Sequence, residues 1–118
     1  IFPTVAKGGL WIGGAYGSGR VYRSNQLIGT SSLTQLTVGL QAGGQAYSEI
    51  IFFKDRTNLE DFTRGNFEFD GQISAVVVTA GAAANADYND GVAIFTLPKG
   101  GLMLEVSVGG QKFSFDPI

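Results

Sequence analysis

The chain of 118 residues contains neither cysteine nor histidine. Without cysteine it can form no disulfide, no thiolate nucleophile and no cysteine-ligated zinc site. Without histidine it lacks the commonest general base and the commonest protein ligand of transition metals. An enzyme built on this sequence would depend on carboxylates, lysine, tyrosine or serine. We therefore expect no catalytic residue, no metal and no cofactor.

Charge is also scarce, since charged residues make up 15% of the chain against about 25% in an average domain. The eight basic residues form no run, so the sequence does not predict nucleic acid as a partner. No apolar stretch approaches the roughly 18 residues of a membrane-spanning helix. The opening Ile1-Phe2-Pro3 contains neither an initiator Met nor a signal peptide, and we expect a processed or truncated fragment.

Glycine is abundant, with 18 residues, about double the average share of roughly 7%. Because apolar residues interleave with the glycines, close backbone packing, bulges and turns explain them better than a flexible linker does. Lys-Gly-Gly-Leu occurs at 7–10 and again at 99–102, each time before an apolar run. A phosphate-binding loop at 17–19 is not favoured, because the dinucleotide spacing and a following helix are both missing.

Alternating apolar and polar residues predict strands in most of the chain. They lie at 10–16, 20–23, 26–29, within 33–53, and at 67–79, 92–97, 102–108 and 111–115. We predict turns at 17–19, at Ser24-Asn25 and at Gly109-Gly110. The Ser24-Asn25 hairpin would place Tyr22 opposite Leu27 and Val21 opposite Ile28. The Gly109-Gly110 hairpin would pair Val106 with Phe113 and Leu104 with Phe115, while Gly43-Gly44 fits either a hairpin turn or a bulge.

One helix is predicted over 54–65. Thr57 and Glu60 have the spacing of a capping box, Leu59 and Phe62 share a face, and Gly65 stands where a helix ends. The length indicates a single domain over 1–118. The predicted fold is mainly β, with six to eight antiparallel strands and one short helix, arranged as a sheet or a partly closed barrel.

Several phrases, in order along the chain, resemble the SYLF domain family and its bacterial branch in particular. They are Phe2-Pro3 with Lys7-Gly8-Gly9, Gly14-Ala15-Tyr16-Gly17-Ser18-Gly19, Ile28-Gly29-Thr30, Val38-Gly39-Leu40-Gln41-Ala42-Gly43-Gly44-Gln45, Phe62 with Gly65, Lys99-Gly100-Gly101-Leu102 and Val106-Ser107-Val108-Gly109-Gly110. The resemblance implies a non-enzymatic, phospholipid-binding module, and eukaryotic relatives are linked to phosphoinositides or, in some fungi, to actin. The resemblance also implies an upstream helical segment, which we expect this chain to lack, and it supplies no catalytic motif to transfer.

A membrane-surface site needs cationic side chains for lipid phosphate and an aromatic or apolar residue at the interface. The candidates are Lys7, Trp11, Arg20, Arg23 and Lys99. The alternative is that the two lysines are solvated turn residues and Trp11 belongs to the core. The expected partner is a phospholipid membrane surface containing anionic lipid. The family branch suggests a peripheral membrane location in a bacterial periplasm or envelope.

Other functions find less support. Glu68 and Asp70 share a strand face, but this is the ordinary solvent face of an amphipathic strand. The segment 87–91 resembles a calcium loop only faintly, because its glycine comes one place early and Pro98 stands where the bidentate glutamate belongs. A protein-interaction or self-assembly module is the alternative function, since low charge, nine phenylalanines and strand edges would suit a protein partner or a homo-oligomer.

Overall fold

A computed structural model describes residues 1–39, 45–78, 87–99 and 107–118, with the side chains at 9–12, 37–39 and 45 excepted. In these ranges the chain forms one sheet of eight strands and one helix. The strands are β1 (Phe2–Arg23), β2 (Gln26–Gly39), β3 (Gln45–Phe53), β4 (Phe67–Glu68), β5 (Val76–Val77), β6 (Val92–Pro98), β7 (Lys112–Phe113) and β8 (Asp116–Pro117), and the helix is α1 (Arg56–Thr63).

The strand order is β4-β7-β2-β1-β3-β6-β5, with β8 also pairing with β2. The sheet curls into an open half-barrel, which confirms the predicted mainly β fold. One detail differs, because β5 pairs with β6 in parallel whereas we predicted antiparallel pairing throughout. The concave face carries the core, and we call it the inner face. On β1 and β3 it holds Val5, Tyr47 and Glu49, all fully buried.

The long strand β1 folds back on itself, so that its first residues lie against its own second half. The Arg20 N–H donates to the Ile1 carbonyl at 3.0 Å. A Cβ placed on Gly17 would lie only 2.9 Å from the Thr4 carbonyl oxygen. The predicted turn at 17–19 is therefore wrong. These glycines permit a close approach of two backbone segments and do not reverse the chain.

The hairpin between β1 and β2 turns at Ser24-Asn25, as predicted. Both residues have left-handed φ angles, 50° and 65°, as a two-residue type I′ turn requires. Tyr22 lies opposite Leu27, but Val21 lies opposite Gly29 and not Ile28 as predicted. The reason is a β-bulge between Val21 and Tyr22, which shifts the register by one residue.

Helix α1 is capped by a residue other than the predicted one. Asp55 is the N-cap, and its carboxylate accepts a hydrogen bond from the Asn58 backbone N–H at 3.0 Å. The Thr57 capping box is wrong because the helix already begins at Arg56. Gly65 has a φ of 86°, in agreement with the predicted glycine stop.

The predicted long strand at 67–79 is interrupted. It consists of the short strands β4 and β5, separated by a turn in which the Asp70 carboxylate accepts from the Gln72 N–H at 3.0 Å. An aspartate that bonds to the backbone two residues later favours a turn over a strand. The Gly109-Gly110 turn is present, with φ of 80° at Gly110. The Val106–Phe113 and Leu104–Phe115 pairs and the Gly43-Gly44 alternatives lie outside the described residues.

Aromatic side chains fill the space between the sheet and α1. The Phe113 ring lies 5.0–6.1 Å, centroid to centroid, from four others, namely Phe2, Phe62, Phe67 and Phe69. Phe62 is the buried residue of α1, so this cluster attaches the helix to the half-barrel. Across the described part of the chain, no helix is both long and apolar enough to cross a bilayer.

Candidate functional site

The two candidate lysines flank the beginning of β3. Lys7 lies opposite Gln45 on one side, and the Lys99 N–H donates to the Ala46 carbonyl at 2.9 Å on the other. Their side chains leave opposite faces of the sheet. Lys7 follows the alternation of Val5 toward the inner face, and burial lowers its pKa. The Lys99 ammonium donates to the exposed Thr4 hydroxyl at 2.7 Å on the outer face.

The two candidate arginines lie near the other end of β3. Arg20 and Arg23 stand beside the hairpin turn and face a groove bounded on its far side by 50–53 and by α1. The two ends of the nine-residue strand β3 are eight residue steps apart, or roughly 26 Å at about 3.3 Å per step. The structure thus brings Arg20 and Arg23 together but separates them from Lys7 and Lys99. Trp11 lies in β1 opposite Gly39, and its side chain is outside the described part.

We call this feature the arginine groove, defined by Arg20, Arg23 and Arg56 at its rim. Its volume is about 860 Å³. Arg56 also contacts Glu60, with Nε 3.3 Å from the carboxylate, and Asp55 is occupied as the helix cap. Within the described ranges, Arg20 and Arg23 form no ion pair. Two guanidinium groups without an ion pair in those ranges thus border the groove, and Arg20 also lines a neighbouring pocket together with Asp116.

Apolar residues form the walls of the arginine groove and extend to its mouth. Val21, Ile51, Phe53, Leu59 and Phe62 line it. Phe52 and Tyr22, with 50% and 41% of their surface exposed, project beside the rim. Sequence reasoning missed Arg56 and Phe52, because nothing local in the sequence brings α1 and the end of β3 next to the first hairpin.

A second polar feature lies inside the half-barrel. Glu49 on β3 is fully buried, and its Oε1 accepts a hydrogen bond from Gln111 Nε2 at 2.9 Å. The same amide donates to the Tyr47 hydroxyl at 3.3 Å. Thr96 of β6 lies opposite Glu49 in the sheet. Among the described residues, Glu49 Oε2, Gln111 Oε1 and Thr96 Oγ1 have no hydrogen-bond partner.

Burial raises the pKa of Glu49 from 4.5 to about 7, and the hydrogen bond from Gln111 offsets part of that rise. Burial likewise raises the pKa of Tyr47, and the negative charge of Glu49 adds to that effect. No substrate reaches a carboxyl group with zero exposed surface. We therefore assign Glu49 no catalytic role, and its raised pKa predicts that the stability of the folded chain depends on pH. The sequence did carry a signal, since Glu49 alternates with Tyr47, Ile51 and Phe53 on an otherwise apolar face.

The weaker candidates take ordinary structural places. Glu68 lies 3.9 Å from Lys112 in an exposed ion pair, and Asp70 is engaged in its turn. Asn89 and Val92 exchange backbone hydrogen bonds of 2.9 and 3.1 Å, so the part of 87–91 that turns is Asp90-Gly91. In the ranges described, no three carboxylate side chains cluster closely enough to hold a metal ion.

Comparison with known proteins identifies the family. A family model named Ysc84 and described as Las17-binding protein actin regulator matches residues 34–117. The chain belongs to the SYLF family. The resemblance noted in the sequence is thereby confirmed, and the family is generally non-enzymatic.

One relative of this SYLF chain is Beta cell expansion factor A of Aeromonas veronii. The two are 31% identical over 80 residues, which cover 66% of this chain and 31% of that protein. The matched region thus spans about a third of the length of that relative. No solved structure matches the SYLF chain.

Proposed function

We propose that this SYLF chain is a non-enzymatic module that binds anionic phospholipid membranes through the arginine groove. The observation that carries the proposal is the pair Arg20 and Arg23, which have no ion-pair partner among the described residues and stand beside exposed Phe52 and Tyr22. Guanidinium groups bind phosphate oxygens in a bidentate manner. Aromatic side chains beside them suit the boundary between headgroups and acyl chains.

Membrane affinity in this proposal is electrostatic and therefore depends on salt. Each basic residue near an anionic membrane surface contributes about 1 kcal/mol, and this attraction falls off within a Debye length of roughly 10 Å at 0.1 M salt. Lys7 and Lys99 do not form a joint second contact in this proposal, because their side chains leave opposite faces of the sheet. A peripheral location on a bacterial envelope membrane belongs to the same proposal.

Vesicle co-sedimentation tests the proposal with two matched charge reversals. Arg20→Glu with Arg23→Glu removes the rim charges, and Lys7→Glu with Lys99→Glu makes the same net change elsewhere. We expect wild type to bind phosphatidylglycerol-containing vesicles and not phosphatidylcholine vesicles. The arginine pair should weaken binding at least tenfold, since two cations are lost and two anions added.

Equal loss in both variants would indicate a response to net charge and would contradict a site at the groove. Loss in the lysine pair alone would transfer the site to the beginning of β3. If wild type binds neither vesicle type but forms a defined oligomer in light scattering, membrane binding is contradicted and the protein-interaction alternative is favoured.

A further inference from the structure

The arginine groove is larger than a contact with a membrane surface requires. A headgroup at the rim needs only Arg20 and Arg23, whereas the open groove has a volume of about 860 Å³. Pockets that hold single small molecules have volumes of roughly 300–1,000 Å³. The membrane-surface contact leaves the interior of this groove unused, so the interior has room for a separate ligand.

The chemistry of the groove changes from rim to wall. Cations stand at the rim, and apolar side chains of Val21, Ile51, Phe53 and Leu59 line the wall. Asp55 also borders the groove, but its carboxylate already accepts from both the backbone and the side-chain amide of Asn58, at 3.0 and 2.8 Å. The complementary molecule therefore has an anionic head and an alkyl tail.

We propose that the arginine groove binds one single-chain anionic amphiphile, such as a fatty acid or an alkyl phosphate. The head contacts Arg20 and Arg23, and the tail packs along Ile51, Phe53 and Leu59. Carboxylate and phosphate heads share the chemistry that two guanidinium groups recognise. The inference rests on the proposed function in that the same groove meets the lipid, and it adds that one alkyl chain leaves the bilayer and enters the protein.

Calorimetric titration with alkyl phosphates of six to twelve carbons, kept below micelle-forming concentrations, tests this. Each added methylene that enters the groove should tighten Kd by roughly fourfold. The gain should stop once the chain exceeds the groove, with one molecule bound per protein. Alkyl carboxylates compare the two heads, and inorganic phosphate alone should bind far more weakly. An affinity independent of chain length, or equal binding of an uncharged alkyl glucoside, would overturn the proposal.

Two variants locate the tail. Leu59→Trp fills the groove and should weaken binding of decyl phosphate at least tenfold, and Leu97→Trp, on the outer face at 47% exposure, should leave it unchanged. Thermal unfolding verifies that each variant is folded. If Leu59→Trp unfolds the chain, Ile51→Phe serves instead. Undiminished binding in a folded, groove-filled variant would refute the site.

The same samples separate this inference from the proposed function. Vesicle binding without binding of soluble alkyl phosphate would overturn the amphiphile site and leave the membrane module intact. Saturable alkyl phosphate binding without vesicle binding would support the groove and contradict the membrane module. Both proposals together predict that the arginine pair loses both kinds of binding, and that Leu59→Trp loses alkyl phosphate binding and binds vesicles more weakly than wild type but better than the arginine pair.

Discussion

Substitution of the buried Glu49 by glutamine should change how stability depends on pH. The carboxyl group has a pKa of about 7 in the folded chain and 4.5 as the reference value. Between these values the folded state holds a proton that the unfolded state has released, so stability falls as pH rises. At about 1.4 kcal/mol per tenfold change in proton affinity, the total loss is about 3 kcal/mol. This is a large share of the 5–15 kcal/mol typical of domains.

Glu49→Gln keeps the shape of the side chain and removes the charge. Its amide keeps the oxygen that accepts from Gln111 Nε2 and replaces Oε2, which lacks a partner among the described residues, by an uncharged NH₂ group. In urea unfolding at pH 4.5, 6, 7 and 8, the free energy of unfolding of the variant relative to wild type should increase with pH, by about 3 kcal/mol in total. The difference should level off above about pH 8, because the Glu49 carboxyl is then ionised in both the folded and the unfolded state of the wild type.

The exposed Glu68 provides the control, since Glu68→Gln makes the same chemical change on a strand near the surface. Its ion pair with Lys112 spans 3.9 Å and is worth little. We therefore expect an effect under about 1 kcal/mol with no dependence on pH above 6. The reasoning is refuted if the Glu49→Gln and wild-type chains differ by the same amount at pH 4.5 and pH 8.

Three further substitutions test the fold. Gly17→Ala should destabilise the chain by about 1–3 kcal/mol in urea unfolding, because the added Cβ would lie 2.9 Å from a backbone carbonyl oxygen. The control Gly71→Ala should be near neutral, because a Cβ at that position has no atom within 4 Å. Phe113→Ala should cost about 3–5 kcal/mol in the same assay, against under 1 kcal/mol for the half-exposed Tyr88→Ala. Asp55→Ala should lower the free energy of unfolding by about 1 kcal/mol in thermal unfolding, because the helix cap is lost. Unchanged stability would show that Asp55 is not the residue that caps the helix.

Local chemistry made much of the fold predictable. Ser24-Asn25 is a turn because both residues tolerate positive φ, and the short apolar run 92–97 before Pro98 identified β6. Predictions failed where a glycine or an aspartate is compatible with more than one local structure. Gly17 serves a close backbone contact and not a turn, and Asp70 starts a turn inside an otherwise strand-like run. Such choices depend on residues distant in the sequence.

The candidate site was predictable only in part, for the same reason. Arg20 and Arg23 were chosen from the sequence as cations near a glycine-rich strand. Their association with Arg56 follows from the way α1 packs beside the end of β3, which no local pattern encodes. Lys7 and Lys99 open identical four-residue phrases, yet their side chains leave opposite faces, because one lies on β1 and the other follows β6.

Amide hydrogen exchange with and without phosphatidylglycerol vesicles tests the central claim most directly, because it locates the contact without altering the chain. We expect added protection in two segments that border the arginine groove, 22–25 and 52–56. The segments beside the candidate lysines, 4–8 and 97–99, should exchange as they do in the free protein. Protection confined to those lysine segments, or no change at either end of β3, would contradict membrane binding through the groove.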